Sequence, residues 1–290
     1  MKFFTDSYFQ IGNAHLGSGK PCQDYAMSEG DEKFAFVIVS DGCSSGGETD
    51  VGSRLIALST ASAIKNNWIL EQNVNFDTAP DLIEGNRQFM LSGLQNTLGM
   101  EVSDMLATCI YAYFCADGGI IQVCGDGVVA IKYKDGRIVA HNFEWSDNMP
   151  YYPVYKNGLL KQFIVAHGDD ISAVKLTEEI RTRDTEHGEF LLEEVKEYPL
   201  GVGIGGVTVE FDKQALGEIE FVAIFSDGVT QLNGVNWFDG VNEFLSFKNV
   251  RGLFVKRRLI RGLQKLNKSG NGPFDDVSCA VIRVESKRRK

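Results

Sequence analysis

The chain has 290 residues, 43% of them hydrophobic and 23% charged, with a net charge of −10. This is ordinary globular composition with enough chain for a large core, and the acidic balance argues against nucleic acid as a general partner. No apolar run is long enough to span a bilayer, and the opening MKFFTDSYFQIGNAHLG turns polar too soon for a secretory signal, so the expectation is a cytoplasmic protein with no membrane partner.

No Pro/Ser-rich linker divides the sequence, which predicts one compact domain over residues 1–290. Residues 34–40, FAFVIVS, read as a buried strand, and TDVGSRLIALSTASAIKNN after it reads as a packed helix. A second helix is predicted over 80–100, with Pro80 at its start. The stretch ATCIYAYFCADGGIIQVCGDGVVAIKYKDGRIVAHN then predicts an antiparallel meander. Residues 142–200 are polar and aromatic and are expected to form irregular structure or an inserted, flap-like subdomain. A buried strand returns at 218–226, EIEFVAIFS. A helical pattern follows in NVRGLFVKRRLIRGLQKLN, and a last strand is DVSCAVIRVE. The basic helix reads most simply as a solvated amphipathic face. LGVGIGG at 200–206 precedes a β-type run, not the helix a dinucleotide loop requires. Layered sheets covered by helices fit this order better than strict β-α alternation.

The six cysteines form no C-x-x-C pair, so a structural zinc site has little support. The aspartates say more. Asp-Gly pairs follow an apolar run, or sit between two, at Asp41, Asp117, Asp126, Asp135 and Asp227. Asp117 and Asp135 are each followed directly by another strand and read as hairpin turns. Asp126 also reads first as a hairpin turn. Asp41 and Asp227 differ, because each leaves a buried strand for a loop and a helix. Asp24 precedes the first strands, and Asp275 and Asp276 precede the last. If such strand-edge carboxylates converge, their repulsion calls for neutralisation, and hard Mg²⁺ or Mn²⁺ suits oxygen donors.

At these residues the sequence resembles the metal-dependent serine/threonine protein phosphatases of the protein phosphatase 2C family (PP2C, or PPM), in their bacterial branch. The matching motifs are HLGSGKPCQDYA (15–26), VSDGCSSGGETDVGSRL, LATCIYAY, GDGVVAI (125–131), FSDGVTQL and DDVS (275–278), in the family's order. The resemblance implies an α+β fold, a four-layer α-β-β-α sandwich of two stacked antiparallel sheets flanked by helices. It implies that Asp24, Asp41, Asp227 and Asp275, with the Gly42 carbonyl, hold two Mg²⁺ or Mn²⁺ ions. Asp41 would bridge them, and Asp126 matches a position associated with a third, weaker ion. The implied reaction is hydrolysis of phosphoserine or phosphothreonine in a protein substrate by attack of a metal-bridging hydroxide. A cognate serine/threonine kinase is the implied partner.

The chain departs from the family pattern in three places. No arginine occurs before Arg54, Cys43 stands where many relatives have a histidine, and Gln23 replaces a glutamate. His15 is therefore the candidate for leaving-group protonation or phosphate contact, against a plain reading as a surface or turn histidine. The same departures support an alternative, a weak or inactive pseudophosphatase that binds a phosphoprotein partner. A third reading is a hydrolase of small phosphoesters.

Overall fold

The structure, a computed structural model, describes residues 1–70, 76–168, 172–184 and 190–286. The chain opens with β1 (Lys2–Gln10), α1 (Asn13–Ser18), β2 (Tyr25–Gly30), β3 (Phe34–Ser40), α2 (Thr49–Leu70) and α3 (Ala79–Leu98). Four strands follow: β4 (Cys109–Cys115), β5 (Gly118–Cys124), β6 (Gly127–Tyr133) and β7 (Ile138–Trp145). Next come α4 (Leu160–Ala166), β8 (Lys175–Asp184), β9 (Phe190–Pro199), α5 (Leu200–Gly203) and β10 (Val207–Asp212). The last elements are α6 (Lys213–Glu218), β11 (Ile219–Phe225), α7 (Trp237–Phe244), α8 (Phe254–Lys268) and β12 (Val277–Glu285).

These strands make two antiparallel sheets, one in the order β1-β12-β11-β6-β7-β8-β9 and one in the order β10-β5-β4-β3-β2. β3 shows why its sequence is apolar throughout. Its side chains alternate between two apolar layers, as the two-residue strand period requires. Ala35, Val37 and Val39 pack between the sheets, while Phe34, Phe36 and Ile38 pack under Ile56, Ile64 and Ile83 of α2 and α3. The outer face of the seven-stranded sheet is covered in the same way by Phe238, Phe244, Leu259 and Leu263 of α7 and α8. Each such side chain contributes roughly 1.5–3 kcal/mol by leaving water. The result is the α-β-β-α sandwich expected from the sequence. Among the described residues, no helix is long and apolar enough to cross a membrane.

Two expectations need correction. Gly125-Asp126-Gly127 is not a hairpin turn, because β5 belongs to the five-stranded sheet and β6 to the seven-stranded one. The chain crosses between layers there, with φ of 105° at Gly125 and 132° at Gly127. A Cβ at Gly127 would stand 2.6 Å from the Phe225 carbonyl oxygen, so only glycine makes this crossing without strain. Of the two expectations for residues 142–200, irregular structure is the one that fails, because the segment carries paired strands. β8 pairs with β7 and with β9, extending the seven-stranded sheet, and Leu176, Glu178 and Ile180 alternate inward. Their polar neighbours hid the period. Between β7 and α4, Asp147 and Asn148 hold left-handed backbone conformations, with φ of 58° and 53°.

Candidate functional site

Strand register decides which aspartates meet. Tyr25 pairs with Ser40, which sets the start of β2 beside the end of β3 and brings Asp24 next to Asp41. Phe225 pairs with Cys279 and with Val128, which sets the end of β11 beside the starts of β12 and β6. Asp227, Asp275 and Asp126 therefore share that end of the sandwich. Asp24 and Asp41 come from one sheet, Asp227 and Asp275 from the other, and Asp126 from the crossing between them. Backbone bonds hold the loops in place. Asp41 accepts the Thr108 N–H through its carbonyl at 2.8 Å and donates its own N–H to Thr108 Oγ1 at 3.0 Å. The Gly42 N–H donates to the Gln23 carbonyl at 3.2 Å.

Asp41, Gly42, Asp126, Asp227 and Asp275 line one cavity of about 320 Å³, together with Ser44, Ser45 and Thr108. Asp24 sits behind them, 1% exposed, and its Oδ2 accepts the Ser226 Oγ–H at 2.6 Å across the two sheets. Gln231 Nε2 donates to Asp227 Oδ2 at 2.8 Å. The second oxygens, Asp24 Oδ1 and Asp227 Oδ1, are buried with no hydrogen-bond partner.

The electrostatics follow from this crowding. Burial, then the charges of Asp24 and Asp227, pushes the Asp41 carboxyl well above the usual carboxylate range. Burial and the charge of Asp227 do the same to Asp126. Asp227 is raised by burial and then by Asp275, with opposition from contacts to Asp41 and Gln231. Asp24 is pushed up to about 8, mainly by burial. Among the described residues that line the cavity, none is a lysine, arginine or histidine. A cluster of carboxylates, two orphaned oxygens and no cation to balance them fit hard divalent ions of the Mg²⁺ or Mn²⁺ type.

His15 is 5% exposed and is not among the cavity-lining residues. Its Nδ1 lies 2.9 Å from Asp276 Oδ2 and 3.8 Å from Asp275 Oδ1, and its Nε2 lies 3.3 Å from Ser44 Oγ. Donor atoms of His15, Asp275 and Asp276 lie within 4.8 Å of one another, so this group is itself a candidate metal-binding cluster. Asp276 has further work. Its oxygens accept the Gly12 N–H at 2.7 Å and the Gln23 N–H at 2.6 Å, which ties the first loop to the start of β12. Sequence reasoning did not assign roles to Gln231, Asp276, Tyr152 or Asn148. Gln231 was legible as the residue one turn after Asp227. Tyr152 and Asn148 reach the cavity from the segment after β7, and no local signal marks them.

A family model described as protein phosphatase 2C matches residues 11–264. Asp275 lies beyond that match and joins the site through β12. Among solved structures, the serine/threonine phosphatase Stp1 from Staphylococcus aureus superposes with a TM-score of 0.54 at 11% identity, covering 99% of this chain and 96% of that one. The S. agalactiae serine/threonine phosphatase gives a TM-score of 0.52 at 14% identity, covering 98% of this chain and 100% of that one. At these identities the likeness is one of fold. No curated protein matches in sequence. The family match, the sandwich and the aspartates gathered at its edge agree, and the chain belongs to the protein phosphatase 2C family.

Proposed function

We propose that the chain is a Mg²⁺- or Mn²⁺-dependent serine/threonine phosphoprotein phosphatase of the family's bacterial branch, acting in the cytoplasm on substrates made by a serine/threonine kinase. The observation that carries this reading is the convergence of Asp41, Asp126, Asp227 and Asp275, from both sheets, on one cavity. Asp41, the Gly42 carbonyl, Asp227 and Asp275 would hold two ions, with Asp24 beside Asp41 and Asp126 toward a third. Such ions supply acidification of water and charge neutralisation on a phosphoryl group.

The protein's own groups supply position. Ser226 and Gln231 each hold one oxygen of a carboxylate and leave the other buried without a hydrogen-bond partner. His15 spans from Asp276 to Ser44 and braces the CSSGG loop from behind, so we assign it positioning rather than proton transfer. Lys20 donates to the Ser44 carbonyl at 2.7 Å, which sets an ammonium beside the loop that lines the cavity. It is the nearest counterpart to the missing arginine, as a point charge without the bidentate fork.

The deciding experiment is Mn²⁺-dependent release of phosphate from phosphothreonine peptides and from an aryl phosphate, by the wild type and by Asp41→Asn. Turnover that needs the metal and Asp41 supports the proposal. A folded protein that turns over neither substrate with any divalent ion would sink it. The pseudophosphatase reading retains one specific support, the absence of a cation among the described cavity-lining residues, with Cys43 in that lining. Metal binding and phosphopeptide binding without turnover would favour it.

A further inference from the structure

α8 carries Lys256, Arg257, Arg258, Arg261, Lys265 and Lys268 and no acidic residue, in a chain whose net charge is −10. The cations are not spread evenly. Lys248, Arg257, Arg258 and Arg261 line one cavity of about 150 Å³, with Phe247 and Phe254 beside them and no carboxylate in the lining. Two of the guanidiniums are fixed in advance. Arg257 Nη2 donates to the Arg251 carbonyl at 2.6 Å, and Arg258 Nε donates to the Glu243 carbonyl at 2.6 Å. Glu243 also pairs with Arg258 at 2.9 Å and with Lys265 at 3.7 Å. Lys248 and Arg261 are exposed and, among the described residues, have no acidic partner.

This cavity is separate from the aspartate site. Phe247 and Phe254 pack on Phe221, with ring centroids 5.1 and 6.4 Å away, at the start of β11. Asp227 leaves the other end of that strand. From the cavity, Arg257, Arg261, Lys265 and Lys268 follow at helical spacing along one face of α8. The chain after Lys268 leads to Phe274 and Asp275, which line the aspartate cavity. A row of cations thus runs from a small anion-sized cavity toward the end of the sandwich that holds the candidate active site.

We propose that this cavity and the α8 row form a docking surface for an acidic, phosphorylated protein segment, with a phosphoryl group in the cavity and carboxylates along the helix. Charge complementarity selects that occupant. A membrane is disfavoured because the apolar face of α8 is already spent: Val255, Leu259 and Leu263 are fully buried against the seven-stranded sheet. A long nucleic acid would meet the negative field of the rest of the surface. A small free anion would need the cavity alone and leaves the row unused. The part of the proposal that makes the bound segment a substrate rests on the phosphatase reading; the binding does not.

The test is fluorescence anisotropy of the full chain with an acidic phosphoserine peptide, its unphosphorylated form and a neutral phosphopeptide, using Lys248→Glu/Arg261→Glu and the conservative Lys248→Arg/Arg261→Lys. Circular dichroism checks folding. The acidic phosphopeptide binds best, weakens about 10-fold or more in the charge-reversed variant and with added salt, and is retained by the conservative one. Inorganic phosphate competes. No binding by the wild type, equal binding by the charge-reversed variant, or tighter binding of duplex DNA or phosphatidylserine vesicles would overturn the proposal. In turnover assays the charge-reversed variant raises KM for the acidic phosphopeptide and leaves an aryl phosphate unaffected. Loss on both overturns the docking role. If the wild type turns over nothing, the phosphatase reading falls and the anisotropy still decides the binding.

Discussion

At one end of the sandwich Asp117 and Asp135 turn hairpins; at the other, Asp41, Asp126 and Asp227 close on a cavity. The dipeptide is Asp-Gly in all of them. The hairpin carboxylates are exposed and answered locally, Asp135 by the Arg137 N–H at 2.9 Å and Asp117 by Lys213 at 3.3 Å. The cavity carboxylates are drawn in, and their nearest charges are one another. The difference is where the chain goes next. After Asp117 and Asp135 it returns along the same sheet, whereas after Asp41, Asp126 and Asp227 it leaves that sheet.

The largest expected break in this comparison is Asp41→Asn, which should lower metal-dependent turnover on the order of 10³-fold, about 4 kcal/mol. Its effect on stability should run the other way. Removing one of several crowded carboxylates should raise the melting temperature of metal-free protein, and a fall would show that the crowding is not destabilising. Next comes Gly127→Ala, which forces a side chain into a backbone region with φ of 132° and toward the Phe225 carbonyl. Denaturant unfolding should show a loss of about 1–3 kcal/mol. An unchanged midpoint would mean that the crossing relaxes freely.

A third effect concerns pH. Asp24 stands near 8 in the folded chain against an ordinary 3.8. A raised carboxyl pKa favours the fold while the group is protonated. Stability of metal-free protein should therefore be greatest at acid pH and decline as pH rises from 3.8 toward 8. Melting curves in chelator would show the midpoint falling as pH rises across that window. Saturating Mn²⁺ should abolish the slope, and a flat profile in chelator would contradict it. Smallest of all is Asp117→Asn at the hairpin end, expected within about 0.5 kcal/mol of wild type and without effect on turnover.

Much of this was legible because strand ends and turns are written locally. FAFVIVS followed by Asp-Gly and a helix marks Asp41 as different from Asp117 without any structure. Asp126 was harder, since Gly-Asp-Gly between two strands looks the same whether the strands share a sheet or not. Only pairing tells, and pairing is long-range. The β8–β9 extension was hidden by charged residues on its exposed positions, and Asn148 and Tyr152 reach the cavity from a segment with no periodic signal. Asp276 reads as one more acid before a strand, and its part in holding Gly12 and Gln23 depends on contacts across most of the chain.

Because Asp24 and Asp41 belong to one sheet and Asp227 and Asp275 to the other, the gap between the two carboxylate pairs is set by the thickness of the sandwich. Side chains such as Val39, Ile110 and Ile224, all buried between the sheets, act as the spacer. Ile110 even reaches the crossing, where its Cδ1 would stand 2.7 Å from a Cβ at Gly127. The core is therefore also the gauge of the proposed ion site. If the proposed ions bind there, trimming Ile110 would narrow the jaws that grip them, and a methyl group with no chemistry of its own would be felt as a change in which cation fits.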